Sequence, residues 1–175
     1  MLRSLRAWTV DRDQRRRAAT YVSALLAEPD EADVEWLSTF GTDGDVDHAR
    51  WELRYAKRAL GLLAAQRDAL DDRTASLVAT ELARSLAGDR AVAPGKLRVA
   101  ERQLNSRLSA YGDALANREG EGSGWHLGRA LLDFAGHRDA ASPEVIALAG
   151  ELLARYLADA NAALRENFGA ATLPG

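Results

Sequence analysis

Apolar residues recur at steps of three and four along nearly the whole chain, the spacing that lines one face of an α-helix. From about Asp11 to Glu28 the positions Ala18, Tyr21, Val22 and Leu25 keep that step, and Pro29 closes the run because it lacks the N–H of a further turn. A short helix from Asp30 to Phe40 follows, with Asp30 as cap, Val34, Trp36, Leu37 and Phe40 facing inward, and Gly41 as stop. The third segment, about Asp45 to Leu70, carries Leu53, Ala56, Leu60, Leu63 and Leu70 on one line and Trp51, Tyr55, Ala59 and Leu62 on the next. Such a double-width apolar face belongs in the middle of a bundle.

Asp71 and Asp72 restart the chain into a fourth helix with Val78, Leu82 and Leu86, ended by Gly88; the pattern fits either two helices here or one bent helix. Pro94 is expected in the first turn of the fifth helix, whose inner positions are Leu97, Ala100, Leu104, Leu108, Tyr111 and Leu115. The glycine-rich stretch "REGEGSG", residues 118–124, is expected to be a flexible loop. A short sixth helix, about Trp125 to His137, presents Leu127, Leu131 and Phe134. The seventh opens on Ser142 as N-cap, Pro143 at the first helical position and Glu144 toward the positive end of the dipole. Its inner line is Ile146, Ala149, Leu153, Leu157, Ala160, Leu164 and Phe168, with Val145, Leu148, Leu152 and Tyr156 alongside, and Gly169 ends it.

These periods predict an all-α fold, an antiparallel helical bundle of about five main helices plus two short ones. The chain divides into a basic amino-terminal arm (1–10), one bundle domain (11–169) and a short tail (170–175). Composition supports this: leucine and alanine dominate, whereas isoleucine, a strand former, occurs once, at Ile146. At 175 residues the chain is long enough for one substantial core.

A net charge of -3 gives no global pull toward nucleic acid. Residues 1–17, however, hold six arginines against Asp11 and Asp13, a local charge of +4. That end is placed to pack on its own bundle or a second subunit, or to touch phosphates or an anionic surface nonspecifically. No basic recognition helix follows a tight turn, so no specific nucleic-acid partner is expected. The absence of cysteine excludes disulfides, thiolate nucleophiles and cysteine metal sites, and suits a reducing compartment. With no stretch of signal-peptide or membrane-span length, a cytoplasmic location is expected.

The segment "GTDGDVDHARWELRY", residues 41–55, concentrates the candidate chemistry. Read as a calcium loop from Asp43, it places Asp45 and Asp47 correctly, but His48 stands at the turn glycine and Arg54 at the bidentate glutamate, so the loop fails. His48 and Glu52 are one turn apart without further ligands, and no metal or cofactor is expected. The aspartates read best as the start of a helix, accepting hydrogen bonds from free backbone N–H groups. Trp36, Phe40, Trp51 and Tyr55, with His48 at the rim, form either the core of a helical hairpin or the wall of a small pocket for a planar or cationic ligand. Arg50, Arg54 and Arg58, with Lys57, make a basic stripe on the third helix that is partly repeated by Lys96, Arg98, Arg102 and Arg107 on the fifth. If the two converge they would hold a phosphate or dicarboxylate; interspersed Glu52, Asp68 and Glu101 offer local pairing instead. The spacing from Gly88 to Lys96 does not make a phosphate loop, and no serine stands in a nucleophile turn, so no catalytic residue is assigned.

The stretch "YVSALLAEPDEADVEWLSTF" resembles the opening helices of the molybdoenzyme assembly chaperones, which implies an all-helical cytosolic protein that binds a client. The resemblance covers only about residues 18–40, and the phenylalanine-glycine-proline stretch expected later in such a chaperone has no counterpart, so the family is not assigned on it. Function is therefore expected in the class of a non-enzymatic helical protein-interaction module. The double-width faces of the third and seventh helices point to a homodimer. A small-molecule binder with the aromatic pocket is the alternative, and a helical enzyme acting on an anionic metabolite, or an assembly chaperone, the third.

Overall fold

The computed structural model describes residues 2–68, 72–117, 119–137 and 141–169, with side chains from residue 11 onward. Seven α-helices and no strand occur among them: α1 (Leu2–Leu25), α2 (Glu31–Phe40), α3 (Val46–Asp68), α4 (Asp72–Ala87), α5 (Leu97–Ala116), α6 (Ser123–Ala135) and α7 (Pro143–Phe168). The fold is all-α. Leu70, Asp71, Arg118 and the tail 170–175 lie outside the described residues, as does the junction between α3 and α4.

Four boundaries differ from the sequence reading. The α1 helix begins at Leu2, so the backbone of residues 2–10 continues the helix that the apolar period marks only from Asp11. It also ends at Leu25, three residues before the expected stop, in a turn closed by Leu26 N–H to the Val22 carbonyl. Pro94 does not open α5. It occupies a tight turn with Gly95 at φ +79°, closed by the Lys96 N–H donating to the Ala93 carbonyl at 3.0 Å, the arrangement that proline followed by glycine favours. Finally, Ser123 and Gly124 belong to α6 and not to the loop.

The α3 helix is the axis of the molecule, packed against every other helix. Its double apolar face is covered inside the chain: Leu53, Ala56, Ala59 and Leu60 are fully buried. The wide face of α7 is likewise covered by α6, α3 and α1, except that Leu148, expected beside the inner line, is 49% exposed. The breadth that led to the expectation of a second copy is thus taken up by neighbours within one chain. Ion pairs and close contacts fix helix directions: α2 runs antiparallel to α3 and α6 antiparallel to α7, whereas α1 and α4 run in the same sense.

The α6–α7 seam rests on glycines. A β-carbon on Gly128 would lie 2.1 Å from the Ile146 carbonyl oxygen, and one on Gly150 would lie 2.3 Å from the Gly124 carbonyl oxygen. Both are backbone atoms that cannot swing aside, so the two helices approach as closely as their main chains allow.

Candidate functional site

The aspartate stretch is spent on starting α3. Asp43 adopts a left-handed φ of 52° and Gly44 one of 87°, turning the chain back so that Gly44 N–H donates to the Ser38 carbonyl at 2.7 Å. Asp45 Oδ1 then accepts the His48 N–H at 2.9 Å, while its carbonyl accepts the Thr42 hydroxyl at 2.6 Å. No group of three or more potential metal ligands gathers among the described residues.

The aromatic set pairs within helices. Trp36 and Phe40 stack at 5.6 Å on α2, and Trp51 and Tyr55 at 5.6 Å on α3. Phe40 is exposed, Trp36 and Trp51 half-buried and Tyr55 buried, with its hydroxyl pKa pushed up by that burial against the pull of Arg107. His48 faces Glu52, with Nε2 3.4 Å from a carboxylate oxygen.

The arginine stripe divides among carboxylates. Arg50 grips Glu31 in a two-pronged contact at 2.7 and 3.0 Å, Arg54 grips Glu28 at 3.0 and 2.9 Å, and Arg58 reaches Asp89 at 2.7 Å. Each of the three ties α3 to a different piece of chain: the start of α2, the α1–α2 connection and the turn after α4. Burial would raise the Asp89 pKa, but the Ala91 N–H and the Arg58 guanidinium outweigh it and hold the carboxyl below its usual range.

The fifth helix contributes an acceptor's partner, not a second basic wall. Arg107 enters the core and donates to Glu52 from Nε at 3.0 Å and from Nη2 at 2.5 Å, with both side chains more than nine-tenths buried. Its remaining amino group bonds Gln103, and its guanidinium lies 4.1 Å from the Phe134 ring centre and 5.4 Å from that of Tyr55. Tyr111, fully buried beside this pair and edge-on to Phe134, has a hydroxyl without a hydrogen-bond partner; burial pushes its pKa up, so it stays protonated. A charge at an inward position, such as Arg107 between Leu104 and Tyr111, is the one sequence signal for this centre.

A second polar centre joins α2 to α7. Asp33 accepts Arg155 Nη2 at 2.5 Å and the Tyr156 hydroxyl at 2.9 Å. Beside it, Lys57 Nζ donates to the Ala27 carbonyl at 2.6 Å, satisfying the chain just past the end of α1. Burial lowers the Lys57 pKa, although Asp30, Asp159, Glu28 and Asp33 pull it the other way.

The outer side of the glycine seam is concave. A shallow groove of about 590 Å³ runs between the start of α6 and the first half of α7. Trp125, Pro143, Ala147, Gly150 and Ala154 supply an apolar floor, and Glu121, Glu144 and Glu151 the margin. None of the three glutamates pairs with a basic side chain among the described residues. The groove exists because small residues, needed where α6 meets α7, leave nothing protruding.

Compared with protein-family models, with curated proteins and with solved structures, the chain matches none. No helix among the described residues is long and apolar enough to cross a membrane.

Proposed function

We propose that this chain is a non-enzymatic protein-interaction module whose groove between α6 and α7 receives an amphipathic basic segment of a partner protein. The observation that carries the reading is the apolar floor bounded by three glutamates, none of them in an ion pair among the described residues, Glu144 being engaged only with the start of its own helix. An apolar floor takes up a partner's hydrophobic side chains, and a one-sign margin selects lysine- or arginine-bearing segments while speeding their approach.

A helical leucine-lysine peptide titrated into the labelled protein tests this by nuclear magnetic resonance. The Gly124 and Gly150 amide signals should move first, binding should weaken with salt, and Glu144→Lys with Glu151→Lys should weaken it about tenfold, or ~1.4 kcal/mol. Shifts centred elsewhere, or indifference to the charge reversal, would overturn the proposal. So would the same amides moving with protein concentration alone, which would make a second copy the occupant.

A further inference from the structure

A half-enclosed cleft of about 340 Å³ opens between the end of α1, the middle of α3 and the second half of α7, and shares no lining residue with the groove. Its size lies at the small end of ligand pockets, and its floor is apolar, made by Leu25 and alanines of α1 and α7. Charges of both signs surround that floor. Lys57 and Arg155 line it together with Asp30 and Asp159, both aspartates within electrostatic reach of the Lys57 amine. We propose that this cleft binds a small zwitterion with an apolar side chain, an amino acid, its carboxylate held by Lys57 and Arg155 and its ammonium group by Asp30 and Asp159.

The case rests on which polar groups are already committed. Lys57 Nζ makes one short bond to the Ala27 carbonyl and a long one, 3.5 Å, to that of Glu28, and a three-proton ammonium keeps a donor in hand. Among the described residues no carboxylate forms an ion pair with it, and its face toward α7 is the Tyr156 ring, 5.8 Å away. Burial lowers the pKa of the amine although four carboxylates pull the other way, and a carboxylate arriving within hydrogen-bond distance would take the donor that the two backbone carbonyls leave. Arg155 gives one amino group to Asp33 and keeps its other donors, with about half of its side chain exposed. Asp33 in turn is saturated by Arg155 and Tyr156, and Glu28 by Arg54, which leaves Asp30 and Asp159 as the carboxylates of the cleft with no side-chain partner. A ligand carrying only one charge would satisfy one pair of groups and meet the like charge of the other.

Calorimetry with three probes separates these contributions: L-leucine, isocaproate, which lacks the ammonium group, and isoamylamine, which lacks the carboxylate. L-Leucine should bind, and each truncated probe should bind at least about tenfold more weakly. Lys57→Met should weaken L-leucine about tenfold and leave isoamylamine unchanged; Asp159→Asn should do the reverse, sparing isocaproate. Circular dichroism checks that both variants fold, and because Asp159 is exposed its variant decides the matter even if loss of the Ala27 contact destabilises the other. Absence of L-leucine binding at about 10 mM, or equal binding of all three probes, would overturn the inference. The groove shares no lining residue with the cleft, and the variants at Lys57 and Asp159 leave its glutamates in place, so its fate in the peptide experiment is read separately from this test.

Discussion

The α6–α7 seam closes by removing side chains, whereas the α3–α5 seam closes around two charges taken out of water. In the first, Gly128 and Gly150 let main chains touch, and the contact has no tolerance for even one added carbon. In the second, Arg107 and Glu52 fill the space with long side chains whose charges cancel, and Tyr55 and Phe134 cover the guanidinium. The first device leaves a smooth outer surface, which is why the groove lies there. The second shows at the surface the half-buried His48 beside Glu52 and the exposed Gln103 beside Arg107. Close backbone packing opens a groove; a buried ion pair makes a fixed core.

The sharpest way to break that contrast is to remove one charge. Arg107→Met leaves Glu52 uncompensated and should cost about 3–5 kcal/mol in urea unfolding, whereas Glu52→Leu combined with Arg107→Met should recover most of the loss, because the pair is weak evidence for stability while its half is a liability. Equal losses in the single and double variants would show that the pair contributes through shape alone.

A steric change at the other seam comes next. Gly128→Ala should cost about 1–3 kcal/mol, since the helices must part to admit the methyl group, and it should reshape the groove. The readout is the unfolding midpoint together with the Gly150 amide signal; a variant as stable as the parent would deny the close approach.

The smallest effect separates both seams from the peripheral ties. Asp89 has its folded pKa depressed below an ordinary 3.8, so its contribution is present above that value and is lost as pH falls through the depressed one. Asp89→Asn should therefore flatten the fall of stability with acid below about pH 4, by an amount typical of a single partly exposed pair. An unchanged acid limb would mean that the Arg58 contact holds no proton-linked energy.

How much of this was legible in sequence follows from the range of each interaction. The Ser142–Pro143 start of α7, with Ser142 Oγ accepting the Val145 N–H, and the Asp45 start of α3 are local, and residue types alone announced them. The inward faces of α1, α3, α5 and α7 were legible for the same reason: period is a property of neighbours. The arginine stripe was visible as charge, but its meaning lay in Glu28, Glu31 and Asp89, which the fold brings from three separate segments. Asp33 and Tyr156 are 123 positions apart, and no pattern within either helix pairs them. Gly128 and Gly150 were hidden because a glycine inside a helix looks like a cost until the partner helix is in place. The groove and the cleft inherit that blindness, since each is made by surfaces of different helices.

The most direct test of the central claim, that the α6–α7 groove is a docking face, is photocrosslinking in the cell of origin from a benzophenone side chain placed at Ala147, followed by mass spectrometry of the joined peptides. The adduct should map to one segment of a different polypeptide, rich in lysine or arginine on one side and apolar on the other. Joining to a second copy of this chain, or to acidic segments, would contradict it.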